Sequence, residues 1–146
     1  MNLFISHRGN INGKLPEENS PELINHILDL GYYIETDLWY IKNELFLGHD
    51  EPQYLINSEF LNKKGIIYHA KNIEALEFSM NKNIHVFWHE DDEYTLTSNG
   101  YIWAYPGKPV SNRHKTIIVD NNKPTFKYDC IGICSDYVQL YKTYNI

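Results

Sequence analysis

Cysteine is scarce in this sequence, with two in 146 residues, Cys130 and Cys134. Four positions apart in an extended strand, they would stand about 12 Å or more from each other, beyond the reach of a disulfide. Two cysteines at this spacing are also only a weak metal signal. They read as reduced, small, buried residues. Long hydrophobic runs are lacking too. No apolar stretch approaches about 18 residues, which excludes a helix that crosses a membrane. No basic-apolar leader opens the chain. The expectation is a soluble, cytoplasmic protein without membrane insertion. Positive charge is in deficit: 13 Lys and Arg stand against 19 Asp and Glu, a net charge of −6. That balance argues against nucleic acid or an anionic membrane surface as the main partner. There is no internal repeat at a fixed period and no low-complexity tract. The length predicts one domain over residues 1–146.

What is present is aromatic and strand-rich. The chain holds 12 tyrosines and 3 tryptophans, which read mostly as wall and core residues. Residues 2–6 read as strand one. A polar loop follows to Asn19. Ser20 then caps a helix with Pro21 at its first position, where a missing N–H costs nothing. Leu23, Ile24, Ile27, Leu28 and Leu30 recur at helical spacing, and Gly31 stops the run. Residues 32–38 and 45–48 read as strands two and three around a turn at Lys42–Asn43. By residue pattern alone this is an antiparallel hairpin. Ser58 is read as capping a short helix to Lys64, and 66–70 as strand four. Asn72 is read as capping a helix to about Asn81. Strands five to eight are placed at 84–89, 101–105, 116–120 and 131–138. Asn99–Gly100, Pro106–Gly107 and Asn121–Asn122 punctuate them.

Ionisable residues gather in the first half. Glu35 and Asp37 alternate within a strand, so both carboxylates point to one face. Two such groups repel unless a cation or a proton lies between them. Alternatively, they are a solvated pair, or they bond to Arg8 or Lys71. His49 follows the apolar strand 45–47, where a histidine can act as acid, base or ligand. The N-terminal strand ends in Ser6–His7–Arg8–Gly9, and Pro16–Glu17–Glu18–Asn19–Ser20 comes next.

In order, these make H-R-G, E-N-S, E-x-D and H-D within fifty residues. This set resembles the glycerophosphodiester phosphodiesterase family of the phospholipase-C-like barrel superfamily, whose pattern is HRG, PENT, ExD and HD. The likeness covers residues 3–50 and extends thinly to 66–71. One departure is the extra Glu17 between the proline and E-N-S. The resemblance implies a pared-down parallel (β/α)8 barrel, an α/β fold with several helices shortened or missing. It also implies an extended return segment after E-x-D instead of a hairpin. A barrel of this kind carries its site at the C-terminal strand ends, where His7, Glu35, Asp37, His49 and His69 all fall. Strands left bare by lost helices would be covered by aromatics or by a second subunit, so a homo-oligomer is expected.

The resemblance further implies the chemistry. His7 and His49 would be the acid–base pair, Arg8 and Lys71 would hold phosphate, and Glu18 would orient Arg8. Glu35 and Asp37 would bind a divalent cation, Mg²⁺ or Ca²⁺. Where the family supplies a third acidic ligand in an E-x-K pattern, this chain reads His69–Ala70–Lys71. A histidine there shifts the preference toward Mg²⁺, Mn²⁺ or Zn²⁺ if it binds metal; the alternative is a hydrogen-bonded wall residue. Residues 51–65 are too few for the family's inserted cap, which implies an open site. The expected activity is metal-dependent hydrolysis of a glycerol- or sugar-containing phosphodiester. The alternative is a non-catalytic barrel that binds a phosphorylated ligand or serves as an assembly subunit. In the second half, His89, Asp92 and Trp103 could join the site, but they and the strand-ending Asp136 and Tyr137 read as solvated loop and core residues.

Overall fold

The computed structural model describes residues 2–144. β1 (Leu3–His7) opens the chain, and α1 (Pro21–Asp29) carries it back to β2 (Tyr33–Ile41). The Ser20 hydroxyl accepts from the Leu23 N–H, with proline in the first turn. Such a cap contributes about 1 kcal/mol. Ile24 and Ile27 are the residues this helix buries. β3 (Glu44–Leu47) and β4 (Tyr54–Ile56) follow, then α2 (Ser58–Leu61), β5 (Ile66–Ala70) and α3 (Ile73–Asn81). The caps of α2 and α3 are Asn57 and Asn72, so Ser58 begins the first of these helices and does not cap it. β6 (Val86–Phe87), β7 (Tyr94–Leu96), β8 (Ile102–Ala104), β9 (Thr116–Val119), β10 (Gly132–Ser135) and α4 (Val138–Tyr144) complete the fold.

All ten strands form one sheet. Seven run in the same direction, in the spatial order β6-β5-β2-β1-β10-β9-β8. β3 lies antiparallel to β2, β4 to β3, and β7 to β8. The long β2 is the hub. Its Tyr33–Glu35 segment pairs with β1, Ile34–Leu38 with β5, and Leu38–Ile41 with β3. Alternation along β2 separates two environments. Ile34 and Leu38 enter a core shared with Ile24 and Ile27 of α1 and Ala75 of α3. Glu35 and Asp37 face the other way, on the side where Ile5, Ile67, Phe87, Trp103 and Cys134 make a second core. That core draws on β1, β5, β6, β8 and β10, so the sheet is strongly curled.

The fold differs from the expected parallel (β/α)8 barrel. It is a curled, mixed-direction half-barrel with four helices among the described residues. No ladder joins β6 to β8, so the curl stays open there. The cause is connection length and composition. A parallel crossover helix needs about a dozen residues. α1 and α3 each fill one, but the segment from β9 to β10 carries Asn121, Asn122 and Pro124 and forms no helix. The return segment implied by the resemblance is also corrected. β2 and β3 form the antiparallel hairpin that the residue pattern itself suggests. Lys42 and Asn43 both have positive φ, at 49° and 64°, the geometry of a type I′ turn. The predicted strand 131–138 is four residues of β10 followed by the start of α4, and strand 84–89 shrinks to β6. Cys134 is buried in the second core and Cys130 is half-buried, both as free thiols. No helix among the described residues is long and apolar enough to cross a membrane.

Candidate active site

Parallel strands send their C-terminal ends to one rim, so His7, Glu35 and Asp37, and His69 arrive together from β1, β2 and β5. The register sets Glu35 opposite His7 and Asp37 opposite His69. A cavity of about 320 Å³ opens at this rim. Of the eight residues singled out in the sequence, His7, Arg8, Glu35, His49 and His69 line it. Asp37, Glu18 and Lys71 stand behind them.

The loop after β1 is held in an unusual backbone state. Arg8 has φ 59°, a left-handed conformation that disfavours a long side chain and is found at functional sites. Two main-chain bonds fix it: Arg8 N–H to Glu35 O at 2.7 Å, and Asn19 N–H to Arg8 O at 2.8 Å. Asn19, from the E-N-S segment, clamps the carboxylate strand. Its Oδ1 accepts from Thr36 Oγ1 at 2.7 Å and from Asp37 N–H at 3.2 Å, and its Nδ2 donates to Asp37 Oδ2 at 3.0 Å. Arg8 Nε lies 3.0 Å from Asp37 Oδ2 and Nη1 donates to Glu18 Oε1 at 3.3 Å. Glu18 therefore sits where it orients Arg8, and it also accepts from Asn10 Nδ2 at 2.9 Å.

Both carboxylates are fully buried, yet they titrate in opposite directions. Burial pushes the Glu35 carboxyl up, and the Asp37 charge adds to that push against His7, His69 and Arg8. Burial also acts on Asp37, but His69, Arg8 and Asn19 outweigh it and bring its pKa down to about 2. Asp37 is thus the settled anion and Glu35 the group under strain.

His69 adds a third polar group to the pair. Its Nε2 lies 3.1 Å from the His89 carbonyl oxygen, which can only accept, so Nε2 carries the proton. In neutral imidazole Nδ1 is then a bare lone pair. It lies 3.3 Å from Asp37 Oδ1 and 3.9 Å from Glu35 Oε1. Three acceptors facing one another repel unless a proton on His69 or a metal ion lies between them. Glu35 Oε2 and Asp37 Oδ1 are buried without hydrogen-bond donors. One ligand atom each from Glu35, Asp37 and His69 falls within a 4.8 Å span. A histidine that donates its far nitrogen to a backbone carbonyl is the usual form of an imidazole metal ligand. The donor set fits a divalent cation. His69 is also a wall residue, stacked on Phe87 at 4.9 Å between centroids and 12° between planes.

The two catalytic candidates differ in setting. His7 Nδ1 is 2.7 Å from Asp136 Oδ1, with both side chains almost wholly buried. Burial raises the Asp136 carboxyl, but the His7 contact and the Asn10 amide outweigh it, and its pKa falls below the ordinary value. With Nδ1–H held by a carboxylate, His7 Nε2 is the atom left for the cavity. It stands 3.8 Å from Glu35 Oε2. His49 Nδ1 is also 2.7 Å from a carboxylate, that of Asp50, but the two side chains are 39% and 93% exposed. The turn that carries His49 is fixed from beneath. Trp39 Nε1–H donates to Gly48 O at 2.7 Å. A Cβ on Gly48, whose φ is 152°, would meet Glu51 O at 2.0 Å, so only glycine fits.

Lys71 Nζ lies 3.8 Å from Asp37 Oδ1, outside the cavity lining, whereas Lys14 lines it. Asp136, Asn10, Asn19 and Lys14 are the site residues that the sequence reading passed over. Asn19 stood in a quoted motif, but nothing near Asp136 signalled its partner 129 positions away. His89 also reaches the cavity. Its Nδ1 pairs with Asp92 Oδ2 at 2.9 Å and its Nε2 with the Tyr105 hydroxyl at 2.6 Å. Burial, with the Glu35 charge, raises that tyrosine to about 12. Trp103 lies in the cavity wall against Phe87. Compared with known proteins, the chain matches no family model, no curated protein and no solved structure.

Proposed function

We propose that this chain is a metal-dependent phosphodiester hydrolase of the glycerophosphodiesterase type. The observation that carries the reading is the His69–Asp37–Glu35 cluster, with one ligand atom from each within a 4.8 Å span, beside a His7–Asp136 pair, where His7, Glu35 and His69 line one cavity. Glu35, Asp37 and His69 would hold a divalent cation, Mg²⁺ or Ca²⁺ with Mn²⁺ or Zn²⁺ as alternatives, which would supply Lewis acidity when bound. His7, its tautomer held by Asp136, takes or gives a proton through Nε2, and His49 serves as its counterpart. Arg8 presents the donors that Asp37 and Glu18 leave free, and Lys14 and Lys71 add positive charge against the charge that builds on phosphorus. The cavity volume lies at the small end of the usual range for ligand sites, which suits a short glycerol or sugar head group.

A second reading, a non-catalytic binder of a phosphorylated ligand, is favoured by one observation. Arg8 and Lys71 already compensate Asp37 without metal. Turnover separates the two. A panel of glycerophosphodiesters and a bis-aryl phosphodiester would be incubated with each cation and with chelator, and the products followed by ³¹P NMR. The hydrolase reading predicts metal-dependent product from at least one member, with a cyclic phosphate where an adjacent hydroxyl attacks first. Folded protein that binds phosphate but yields no product with any cation would leave the binder reading.

A further inference from the structure

The rim holds a further histidine network that the proposed chemistry leaves unused. Tyr105 follows the C-terminal end of β8, and His89 lies two residues past β6. No ladder joins these two strands among the described residues, and side chains span the gap instead. Phe87 and Trp103 stand 4.7 Å apart between centroids, and His89 and Tyr105 5.2 Å. His89 Nδ1 lies 2.9 Å from Asp92 Oδ2, and Nε2 lies 2.6 Å from the Tyr105 hydroxyl. The backbone carbonyl of His89 accepts from His69 Nε2 at 3.1 Å, which anchors this segment to the rim.

The direction of these bonds decides what Tyr105 offers the cavity. A carboxylate only accepts, so Nδ1 of His89 carries the proton toward Asp92. In neutral imidazole Nε2 is then a lone pair, and the Tyr105 hydroxyl must donate to it. Tyr105 has a hydrogen to give, because burial, with the Glu35 charge, raises its phenol to about 12. That hydrogen is spent on His89, and the oxygen keeps only acceptor capacity. An acceptor is a poor match for the phosphate of a diester, whose oxygens are acceptors too. Arg8 and Lys14, in the same cavity, supply donors for those oxygens. The side chains of Phe87, Trp103 and Val119, which share the wall with Tyr105, offer no acceptor. The phenol oxygen is thus set to take a hydrogen bond from a part of the ligand other than phosphate.

We propose that Tyr105 is a specificity-determining residue of the rim: its phenol oxygen accepts from a hydroxyl on the head group beside the phosphate. His89 and Asp92 are positioning residues that spend the tyrosine's own hydrogen. The inference rests on the rim being the phosphodiester site, and it adds a reason for a polyol head group over an alkyl one. Phe87 and Trp103 give the carbon chain an apolar wall with or without hydroxyls, so the hydroxyl itself makes the difference.

The test compares glycerol 1-phosphate with propyl phosphate, which has the same carbon chain and no hydroxyl on it. Both are monoesters, so no diester bond is cut during calorimetry of the full chain with Mg²⁺. Wild type is expected to bind glycerol 1-phosphate about fivefold more tightly. In Tyr105→Phe the ratio of affinities should fall to about one, and His89→Ala should reduce it about twofold because the hydroxyl is no longer aimed. A tyrosine that only braces β8 against β6 would weaken both phosphates by one factor and leave the ratio unchanged. Turnover of a bis-aryl phosphodiester by wild type, with no hydroxyl to read, reports on the hydrolase reading by itself. Equal affinities in wild type, or a preference that survives Tyr105→Phe, would overturn the proposal even where that turnover stands. Binding of neither phosphate would remove the rim as a phosphate site and this inference with it.

Discussion

Two histidines at one cavity each hold an aspartate at 2.7 Å, and the similarity ends there. His7 and Asp136 are buried, share Asn10 and are pinned between β1 and β10. His49 and Asp50 are sequence neighbours on an exposed turn. The same distance therefore carries different energies. A buried charge-assisted bond fixes tautomer and ring orientation, because losing it strands a charge without water. An exposed pair is screened and contributes between nothing and about 1 kcal/mol. The contrast extends to the whole rim. Its buried half, with Glu35, Asp37, Arg8 and His69, is preorganised, and its exposed half can adapt to what enters.

The largest effects should come from the histidines themselves. His7→Ala and His49→Ala are each expected to lower kcat by about 10²–10⁴, while metal binding, read by calorimetry, stays close to wild type. Next comes Asp37→Asn. It removes the carboxylate beside Arg8 Nε and leaves Arg8 only Glu18 as a paired anion, which should cost about 1–3 kcal/mol in denaturant unfolding. The pH dependence gives the sign. The Asp37 carboxyl titrates below its ordinary value, so its stabilisation is complete above about pH 4 and is lost as pH falls toward 2. Wild type should show that loss in thermal melts, and Asp37→Asn should not.

The aspartates then test the comparison directly. Asp136→Asn should lower kcat about 10–100-fold with little change in KM, as outer partners of functional histidines do. Glu35→Gln should go the other way in stability while abolishing metal-dependent turnover. The folded state raises the Glu35 carboxyl, so ionisation there costs stability once pH rises above the ordinary value. The variant should melt higher than wild type near pH 7, with the gap closing below about pH 4. The smallest effect is expected from Asp50→Asn, within about twofold in kcat. Equal losses in Asp50→Asn and Asp136→Asn would break the comparison.

How much of this could be read from the sequence follows from distance along the chain. Glu35 and Asp37 share a face because strand alternation is local, and the register of β2 with β5 then brings His69 to them. The Lys42–Asn43 turn is local as well. There the residue pattern was right, and the return segment drawn from the family likeness was wrong. Asp136 was not legible as a partner of His7, because their meeting depends on the last strand lying beside the first. The barrel expectation failed for a related reason. Strand ends can be recognised one at a time, but closure depends on every crossover. The β9–β10 connection, with its Asn121, Asn122 and Pro124, builds no helix, and no backbone ladder joins β6 to β8 among the described residues. The half-barrel nonetheless keeps the parallel neighbours β5, β2, β1 and β10, so the rim residues converge without a closed barrel.

The most direct measurement is hydrolysis of a bis-aryl phosphodiester by the purified chain, with Mn²⁺ and then with excess chelator, beside His7→Ala. The account predicts turnover that needs the cation and falls at least about 10²-fold in the variant. Turnover that survives chelation or the loss of His7, or no turnover by folded wild-type protein with any divalent cation on any phosphodiester tried, would contradict it.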